Sequence, residues 1–164
     1  SVEDAPWVDY TPRHIAGIQQ KYTQSGGVRP FGISTLIIGF DADGTPRLFM
    51  TDPSGTFSEW KANAIGRNSK TVLEFLEKKY PETVEGPEAA ASPEAAEEEA
   101  VKLAVRALLE VVESSAKNIE IAVVSREKGL KMLTEEDVKP HVDAVEEEKK
   151  AADEAKKSKE QKDT

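Results

Sequence analysis

The sequence contains no cysteine among its 164 residues. This absence excludes a disulfide scaffold, a thiolate metal site and a cysteine nucleophile, and it suits a reducing compartment. No run approaches the ~18 apolar residues that a membrane-spanning helix needs. The first residues also lack the basic-then-apolar pattern of a targeting signal. We therefore expect a soluble intracellular protein with no membrane partner.

Lysine and arginine are absent from residues 82–100, which contain seven of the chain's glutamates. These carboxylates account for most of the formal net charge of −9, so the rest of the chain is close to neutral. Acidity confined to one segment describes a loop and not a binding surface, and it does not favour a nucleic-acid partner. Residues 82–99 are rich in Ala, Pro and Glu, which predicts a low-complexity loop or a weakly helical lead-in.

The amino-terminal part predicts one helix followed by strands. Thr11 can cap a helix that accepts Pro12 in its first turn and ends at Gly26-Gly27. Its apolar positions, spaced as on one helical face, are Ile15, Ile18 and Tyr22. Residues 33–40 predict a strand buried on both faces, and the turn signal Asp43-Gly44 leads to a return strand over residues 47–51.

The stretch TDPSGTFSEWKANAIG, residues 51–66, contains the clearest turn-forming sequence of the chain. Pro53 presets φ after Asp52, and Gly55 relieves strain at the exit of the turn. A strand over residues 57–65 should follow, with small alanines on either side of Asn63, until Gly66 ends it. The residues singled out as a structural motif are Asp52, Pro53, Gly55, Lys61 and Gly66.

The second half predicts two packed helices and a hairpin. Asn68 or Ser69 can cap a helix that Pro81 closes, with an inward stripe of Val72, Leu73, Leu76 and Tyr80. A second helix begins near Glu98 and has a wide apolar face of Val101, Leu103, Ala104, Val105, Ala107, Leu108, Val111 and Val112. Its polar edge is Lys102, Arg106, Glu110 and Glu113. Residues 119–125 predict a strand, which a turn at Lys128-Gly129 leads toward residues 130–133.

The last helix has two possible starts. Thr134 and Asp137 resemble a capping box, but that start places Pro140 in the helix interior at a cost of roughly 3 kcal/mol. We therefore predict a start at Asp137, with Val138, Val142 and Val145 facing inward. From Glu146 onward the composition predicts a solvated helix or a frayed tail.

Candidate chemistry is sparse along the chain. His14 and His141 are the only histidines and lie far apart, so no metal or catalytic pair is predicted. The DADGT segment at residues 41–45 resembles the start of a calcium loop, but its glycine falls one position early, and a plain hairpin is favoured. Gly26, Gly27 and Gly32 lack the Gly-Lys-Ser/Thr ending of a phosphate loop, and Arg29 and Lys61 are expected to be solvated. No cofactor and no metal are expected.

Ser1 is the one candidate nucleophile, because an amino-terminal serine can use its own amine as base. The following residues are acidic and interrupted by proline, so neither a base nor a strand that could hold Ser1 is visible. Two alternatives to a structural role stay open on the residues alone: a hydrolase that uses Ser1, and a free-standing acidic interaction protein that uses residues 82–99 and the tail.

Two long stretches resemble proteasome alpha subunits. They are QKYTQSGGVRPFGISTLIIGFDADGTPRL and TDPSGTFSEWKANAIGRNSKTVLEFLEKKY. The resemblance runs from Val2 to about Glu148. With LLEVVESSAKNIEIAVV and the Glu/Lys-rich end, the chain is most similar to the family member at the fourth position of the alpha ring.

The resemblance implies the amino-terminal-nucleophile hydrolase fold, an α+β sandwich of four layers in which two antiparallel sheets lie between helices. It implies a noncatalytic subunit, since the catalytic threonine of this family lies in beta subunits. Alpha subunits form seven-membered outer rings that cover the proteolytic chamber, gate entry and dock regulatory particles. The implied partners are neighbouring alpha subunits, beta-ring subunits and the regulatory particle or other activators, and the implied location is cytoplasm and nucleus.

The chain departs from the family pattern at its front. On this resemblance, the gate segment, the first strands, the first long helix and the lysine of the activator pocket are expected to have no counterpart in these 164 residues, so gating and pocket residues are not transferred. The expected organisation is a partial alpha-subunit domain over residues 1–148, with the acidic loop at 82–99, and a charged tail over 149–164. The acidic loop is expected to be longer than usual, and Pro12 falls where the family has helix. Strands left with unpaired edges and an uncovered apolar face should make the isolated chain prone to association.

Overall fold

The computed structural model describes residues 8–112 and 116–160. These residues belong to two compact units. Of the described residues, the first unit comprises 8–69 with 124–129, and the second comprises 70–112, 116–123 and 130–160. Helices and strands both contribute, as the predicted α+β class requires.

The first unit contains one helix and a three-stranded antiparallel sheet in the order β1-β2-β3. The elements are α1 (Tyr10–Gln24), β1 (Thr35–Phe40), β2 (Pro46–Thr51) and β3 (Phe57–Trp60). In the central strand, Phe49 lies opposite Ile37 on one side and Glu59 on the other. The short turns hold all three strands in one meander, because each connects neighbours in the sheet.

Both predicted turns are confirmed. The Gly44 N–H donates to the Asp41 carbonyl at 2.8 Å, and the Gly55 N–H donates to the Asp52 carbonyl at 3.1 Å. Gly44 has φ of +88° and Gly55 has φ of +91°, and residues other than glycine rarely adopt such positive φ values. The glycines therefore stand where the backbone reverses between strands.

Helix α1 packs on the sheet with a different side from the one predicted. Its buried residues are Pro12, Ala16 and Gln19, whereas Ile18 and Tyr22 are 37% and 41% exposed. Successive helix positions lie about 100° apart, so Ile18 points well away from the side that carries Ala16 and Gln19. The predicted stripe of Ile15, Ile18 and Tyr22 was wrong for Ile18 and Tyr22, whereas Ile15 is half-buried.

Strand β1 begins two residues later than predicted and is buried on one face only. Leu36 and Ile38 are 39% and 54% exposed, while the next residues along, Ile37 and Gly39, are half-buried. Alternate residues of a strand point to opposite faces, and β1 is an edge strand. The apolar run therefore reflects two different faces and not burial on both.

Strand β3 ends at Trp60, five residues before the predicted end. Trp60 lies opposite Leu48, so a longer β3 would continue opposite Pro46, which has no N–H to donate. After the end of β3, the Asn63 side chain makes the polar contacts. Its Oδ1 accepts from the Ala64 N–H at 2.8 Å, and its Nδ2 lies 3.0 Å from the Met50 sulfur. The predicted alanine spacing thus falls in an irregular segment.

The second unit is built mainly from helices. They are α2 (Ser69–Thr83), α3 (Pro93–Leu108) and α4 (Glu135–Glu160), with short 3₁₀ helices at Ala89–Ala91 and Ala116–Asn118. One apolar cluster joins α3, α4 and the segment before the second hairpin. Its buried members are Val101, Val105, Leu109, Ile119, Ile121, Val138, Val142 and Val145. The inward face predicted for α4 is confirmed, since Val138 and Val145 are each 1% exposed.

The polar edge predicted for α3 faces α4 and forms ion pairs with it. Arg106 Nη1 lies 3.3 Å from the Glu148 carboxylate, and Lys149 Nζ lies 3.1 Å from that of Glu110. Lys149 also donates to the Leu109 carbonyl at 2.9 Å, beside the end of α3. Glu113, the last predicted member of this edge, lies outside the described residues.

A second hairpin pairs β4 (Ala122–Ser125) with β5 (Gly129–Met132). The predicted strand over residues 119–125 is shorter at its front, where Ile119 and Ile121 enter the apolar cluster instead. The turn at Lys128-Gly129 is confirmed, with Gly129 at φ of +68°.

Proline does not end α2, contrary to prediction. Pro81 lies inside the helix, which continues to Thr83. Because Pro81 stands in the last turn, it removes one hydrogen bond, and the turn is closed around it by other donors. The Val84 N–H donates to the Tyr80 carbonyl at 3.0 Å, and the Thr83 hydroxyl donates to the Lys79 carbonyl at 2.9 Å.

Helix α4 also begins earlier than predicted, at Glu135. The rejected capping box is present: Thr134 Oγ1 accepts from the Asp137 N–H at 3.2 Å, and Asp137 Oδ2 accepts from the Thr134 N–H at 2.9 Å. Pro140 lies inside the helix, so its lost hydrogen bond is offset by the box and by burial of Val138 and Val142. Of the two alternatives for the carboxyl end, a helix is observed, through Glu160, and residues 147–152 are exposed on it.

Helix α3 begins at Pro93, about five residues before the predicted start, so part of the acidic segment is helical. Ser92 has extended backbone, and its Oγ accepts from the Ala95 N–H at 3.1 Å, with Pro93 in the first turn.

We expect Ser92→Ala to cost roughly 1 kcal/mol of unfolding free energy, because a free N–H is left at the helix start. Urea unfolding of the full-length gene product measures this. Ser92→Asp should retain nearly full stability, and equal losses in both variants would contradict the capping role.

Candidate structural site in the first unit

The turn between β2 and β3 gathers three of the five motif residues predicted from the sequence. Asp52 is its centre: Oδ1 accepts from the Ser54 N–H at 2.7 Å and also from the Ser54 hydroxyl, and Oδ2 accepts from the Thr56 hydroxyl at 2.8 Å. Pro53 is half-buried at the second position of the turn. A carboxylate with this many donors fixes the turn in one conformation.

Gly55 brings the same turn against α1. A Cβ atom at this position would lie 2.6 Å from the Gln20 Cβ and 2.8 Å from the Gln20 Cα and backbone nitrogen. Real Cβ atoms do not approach other atoms so closely, so only glycine lets the turn touch the helix. The turn therefore connects the sheet to α1.

The other two motif residues lie beyond the end of β3. Lys61 is exposed, and Gly66 has φ of +117° where the chain leaves the strand region. The Ser69 N–H donates to the Gly66 carbonyl at 3.2 Å, which closes the turn that leads into α2. These residues do not join the Asp52 turn, so the motif is two local structures and not one site.

A charged cluster that the sequence reading missed lies on the sheet. The Arg47 guanidinium bonds to the carboxylates of Asp41 and Glu59, and its central carbon lies 5.2 Å from the centre of the Phe49 ring. The hydrogen bonds that Arg47 donates to Glu59, followed by the one that it donates to Asp41, raise the pKa of Arg47 above its usual range. The register of the hairpin would have predicted this cluster. When Phe49 is paired with Glu59, Arg47, Phe49 and Glu59 lie on one face of the sheet.

The candidate ligands considered from the sequence are occupied or separated. Asp43 Oδ1 accepts from the Thr45 N–H at 2.9 Å. This hydrogen bond, followed by one from the Thr45 side chain, lowers the pKa of Asp43. Asp41 is paired with Arg47, which fits the hairpin reading of DADGT better than a calcium loop. His14 stacks on Tyr10 with ring centres 5.8 Å apart. His141 is half-buried on α4. Ser1 lies outside the described residues.

Within the described part of the chain, no group of three or more metal-ligating side chains comes together. None of the helices in that part is long and apolar enough to cross a bilayer.

The face of the sheet opposite α1 is apolar and open. Leu36, Ile38 and Trp60 share it, and they are 39%, 54% and 45% exposed. Exposed apolar residues on adjacent strands form a contiguous patch, in contrast to the buried Phe49 and Thr51 on the other face. The sheet of this unit thus packs on α1 with one face and exposes apolar side chains on the other.

The isolated 164-residue chain is therefore expected to self-associate. The open face and the edge strand β1 should drive association, because both can pair with a second chain. Sedimentation and calorimetry of this chain measure the effect, and Ile38→Lys should shift the population toward monomer. A soluble monomer that melts in one sharp two-state transition would contradict the expectation.

Acid is expected to weaken the Asp52 turn. The Ser54 hydroxyl contributes most, then the Thr56 hydroxyl, to holding the pKa of Asp52 below its ordinary value of 3.8. A carboxylate with a lowered folded-state pKa stabilises fully above its unfolded pKa, and this contribution is lost as pH falls through the folded value. The unfolding free energy of the full-length gene product should therefore fall more steeply with decreasing pH below about pH 4.

The variant Asp52→Asn tests the acid effect. It should remove this part of the pH dependence, and Ser54→Ala should reduce it partly because one donor is lost while the carboxylate remains. Identical pH profiles for the native protein and Asp52→Asn would show that Asp52 does not carry it.

A model of the proteasome subunit family matches residues 3–124, about three quarters of the chain. The chain belongs to the proteasome subunit family. The matched region includes the whole three-stranded sheet, the Asp52 turn, α2 and α3. The sequence resemblance to proteasome subunits is therefore confirmed at the level of family.

Individual relatives agree with the alpha type. The chain is 56% identical over 161 residues to proteasome subunit alpha type-7 of Dictyostelium discoideum, which covers 98% of this chain and 60% of that protein. It is 59% identical over 157 residues to proteasome subunit alpha type-7 of Solanum lycopersicum, with 95% and 56% covered. The alpha type-7-A subunit of Arabidopsis thaliana is 58% identical over 159 residues, with 96% and 59% covered. The chain thus spans about three fifths of the length of these proteasome relatives.

Proposed function

We propose that this chain is part of a noncatalytic alpha-type subunit of the proteasome core. In this role it contributes to assembly of the alpha ring and to covering the proteolytic chamber, and so supports ubiquitin-dependent protein degradation. The observation that carries the proposal is the identity of 56–59% to proteins named proteasome subunit alpha type-7 over 95–98% of this chain.

The chemistry of the first unit supports a structural role. The polar side chains of the motif region are occupied with one another: Asp52 with Ser54 and Thr56, and Arg47 with Asp41 and Glu59. Groups engaged in this way fix a shape, whereas a hydrolytic site needs a nucleophile and base that face substrate. Large apolar side chains such as Leu36, Ile38 and Trp60 are exposed and can form contacts.

We propose the finer fold on the same basis. In a four-layer sandwich of the amino-terminal-nucleophile hydrolase type, the sheet β1-β2-β3 would have α1 as its helical layer and a second sheet against its open apolar face. Two sheets pack face to face about 10 Å apart through such apolar residues. The exposure of Leu36, Ile38 and Trp60 supports this arrangement.

The proposed partners are the neighbouring alpha subunits, the subunits of the beta ring, and regulatory particles or activators on the outer face. The proposed location is the cytoplasm and nucleus. Obligate assemblies bury large apolar surfaces, so a chain with open apolar residues suits a permanent complex better than a free monomer.

Replacement of the gene in its own cells tests the function. Depletion of the full-length product should lower the amount of assembled core particle and raise the amount of ubiquitin-conjugated protein, and re-expression should restore both. Re-expression with Ser1→Ala should restore them equally, because no catalytic role is proposed for Ser1. Core particle at normal levels after depletion, or failure of the Ser1→Ala variant alone, would contradict the proposal.

A further inference from the structure

Two buried polar atoms in the first unit have no hydrogen-bond partner in the part of the chain that the structure describes. They are the amide oxygen Oε1 of Gln19 and the hydroxyl oxygen Oγ1 of Thr51. Gln19 is 2% exposed and Thr51 is fully buried. Buried polar atoms nearly always have a partner in native proteins, because they lose their hydrogen bonds to bulk water on folding.

Three contacts of neighbouring residues indicate that the two side chains lie close together between α1 and the sheet. Gln19 Nε2 donates to the Ile33 carbonyl at 3.5 Å, just before β1, and Thr35 of β1 lies opposite Thr51 of β2. Four residues after Thr51, Gly55 touches Gln20. The helix residue next to Gln19 is thus held against the turn that follows Thr51.

The contact to Ile33 also favours one orientation of the Gln19 amide, with the oxygen as the free acceptor. With Nε2 directed at a carbonyl oxygen, Oε1 is the atom left over, and reversing the amide would place two oxygens together. Oε1 can only accept a hydrogen bond, whereas the Thr51 hydroxyl can donate one and accept others. The two atoms do not hydrogen-bond to each other.

We propose that Gln19 Oε1 and Thr51 Oγ1 bind one buried water molecule that bridges α1 to β2. The water donates one O–H to Gln19 Oε1. It forms its second hydrogen bond with the Thr51 hydroxyl, which can donate or accept. Both polar atoms are then satisfied, and a small polar site with two such partners is the kind that holds structural water. The bridge fixes where α1 sits along β2, independently of what the outer surfaces bind.

A high-resolution structure of the full-length gene product, in the oligomeric state in which its cells contain it, tests the bridge directly. The expected result is density for one water within hydrogen-bond distance of both atoms. Direct contact between Oε1 and Oγ1, or a corner closed by apolar groups with no water, would overturn the proposal.

Hydrogen exchange of the backbone amides of residues 49–52 in the same full-length protein provides a second test. Gln19→Met and Thr51→Val should each raise the exchange rate about five-fold or more, since each leaves one buried partner of the water unpaired. The double variant should exchange much more slowly than the product of the two effects predicts, because it removes both polar groups together.

Thr51→Ser is the matched control, since it keeps the hydroxyl and loses only a methyl group. Its effect should simply multiply with that of Gln19→Met, in contrast to Thr51→Val, because the hydroxyl partner of the water is retained. Effects that simply multiply in every combination would show that Gln19 and Thr51 do not share a water.

Discussion

Replacement of Gly55 by alanine is expected to be among the most damaging small substitutions in this chain. Gly55 has φ of +91°, and an alanine there would cost about 1–2 kcal/mol in backbone strain. Its Cβ would also lie 2.6 Å from the Gln20 Cβ and 2.8 Å from the Gln20 backbone nitrogen, and such overpacking costs roughly 1–3 kcal/mol more. Together these terms take a large share of the roughly 5–15 kcal/mol that a domain has.

Gly27→Ala is the control for the Gly55 experiment. Gly27 has φ of +82°, close to that of Gly55, but a Cβ atom there would have nothing within 4 Å. Urea unfolding of the full-length gene product should show the backbone cost alone for Gly27→Ala and a clearly larger loss for Gly55→Ala. Equal losses would show that the contact with Gln20 is unimportant.

Replacement of Val105 by aspartate is expected to unfold the second unit. Val105 is fully buried and belongs to the cluster of α3 and α4 that also contains Val138 and Val145. A carboxylate placed there has no partner, and an unpaired buried charge costs at least about 3 kcal/mol in addition to the lost apolar burial. The helical signal in circular dichroism should fall, and the full-length gene product should become sensitive to protease.

Ala100→Asp provides the comparison on the same helix. Ala100 is exposed on α3, so a carboxylate there remains hydrated and should change stability by about 0.5 kcal/mol or less. If Val105→Asp were tolerated as well as Ala100→Asp, the apolar cluster would not be the core of this unit.

The sequence was sufficient for those features that depend on local chemistry. The turns at Asp43-Gly44 and at Asp52 to Gly55 were predicted because glycine and proline restrict the backbone within four residues. The core of the second unit was also predictable, since apolar residues on α3 and α4 repeat with the period of a helix. In both cases the determining residues are close together in the chain.

Burial of individual faces was not predictable, because it depends on which layer lies opposite. Ile18 and Tyr22 are apolar and correctly spaced, yet α1 approaches the sheet through Ala16 and Gln19. The run over β1 is apolar on both sides, but only one side is covered. Periodicity identifies the candidates for burial, and tertiary contacts select among them.

Prolines misled the prediction at two helices. Pro81 was predicted to close α2 and Pro140 to lie in the first turn of α4. Each lies further inside its helix, whose end is secured by other groups, the Thr83 hydroxyl in α2 and the Thr134–Asp137 box in α4. One lost hydrogen bond near a helix end is outweighed by capping and apolar burial. The Arg47 cluster was missed for a different reason, because it requires the strand register before its residues come together.

Isolation of the complex from native cells tests the central claim most directly. The carboxyl end of the native gene is tagged, the complex is isolated intact, and the tagged chain and its companions are weighed by mass spectrometry. The account predicts that the tagged chain is found in stoichiometric amount among alpha and beta subunits of the proteasome core. A tagged chain recovered outside any such ring would contradict it, and the family relationship would then describe ancestry and not present function.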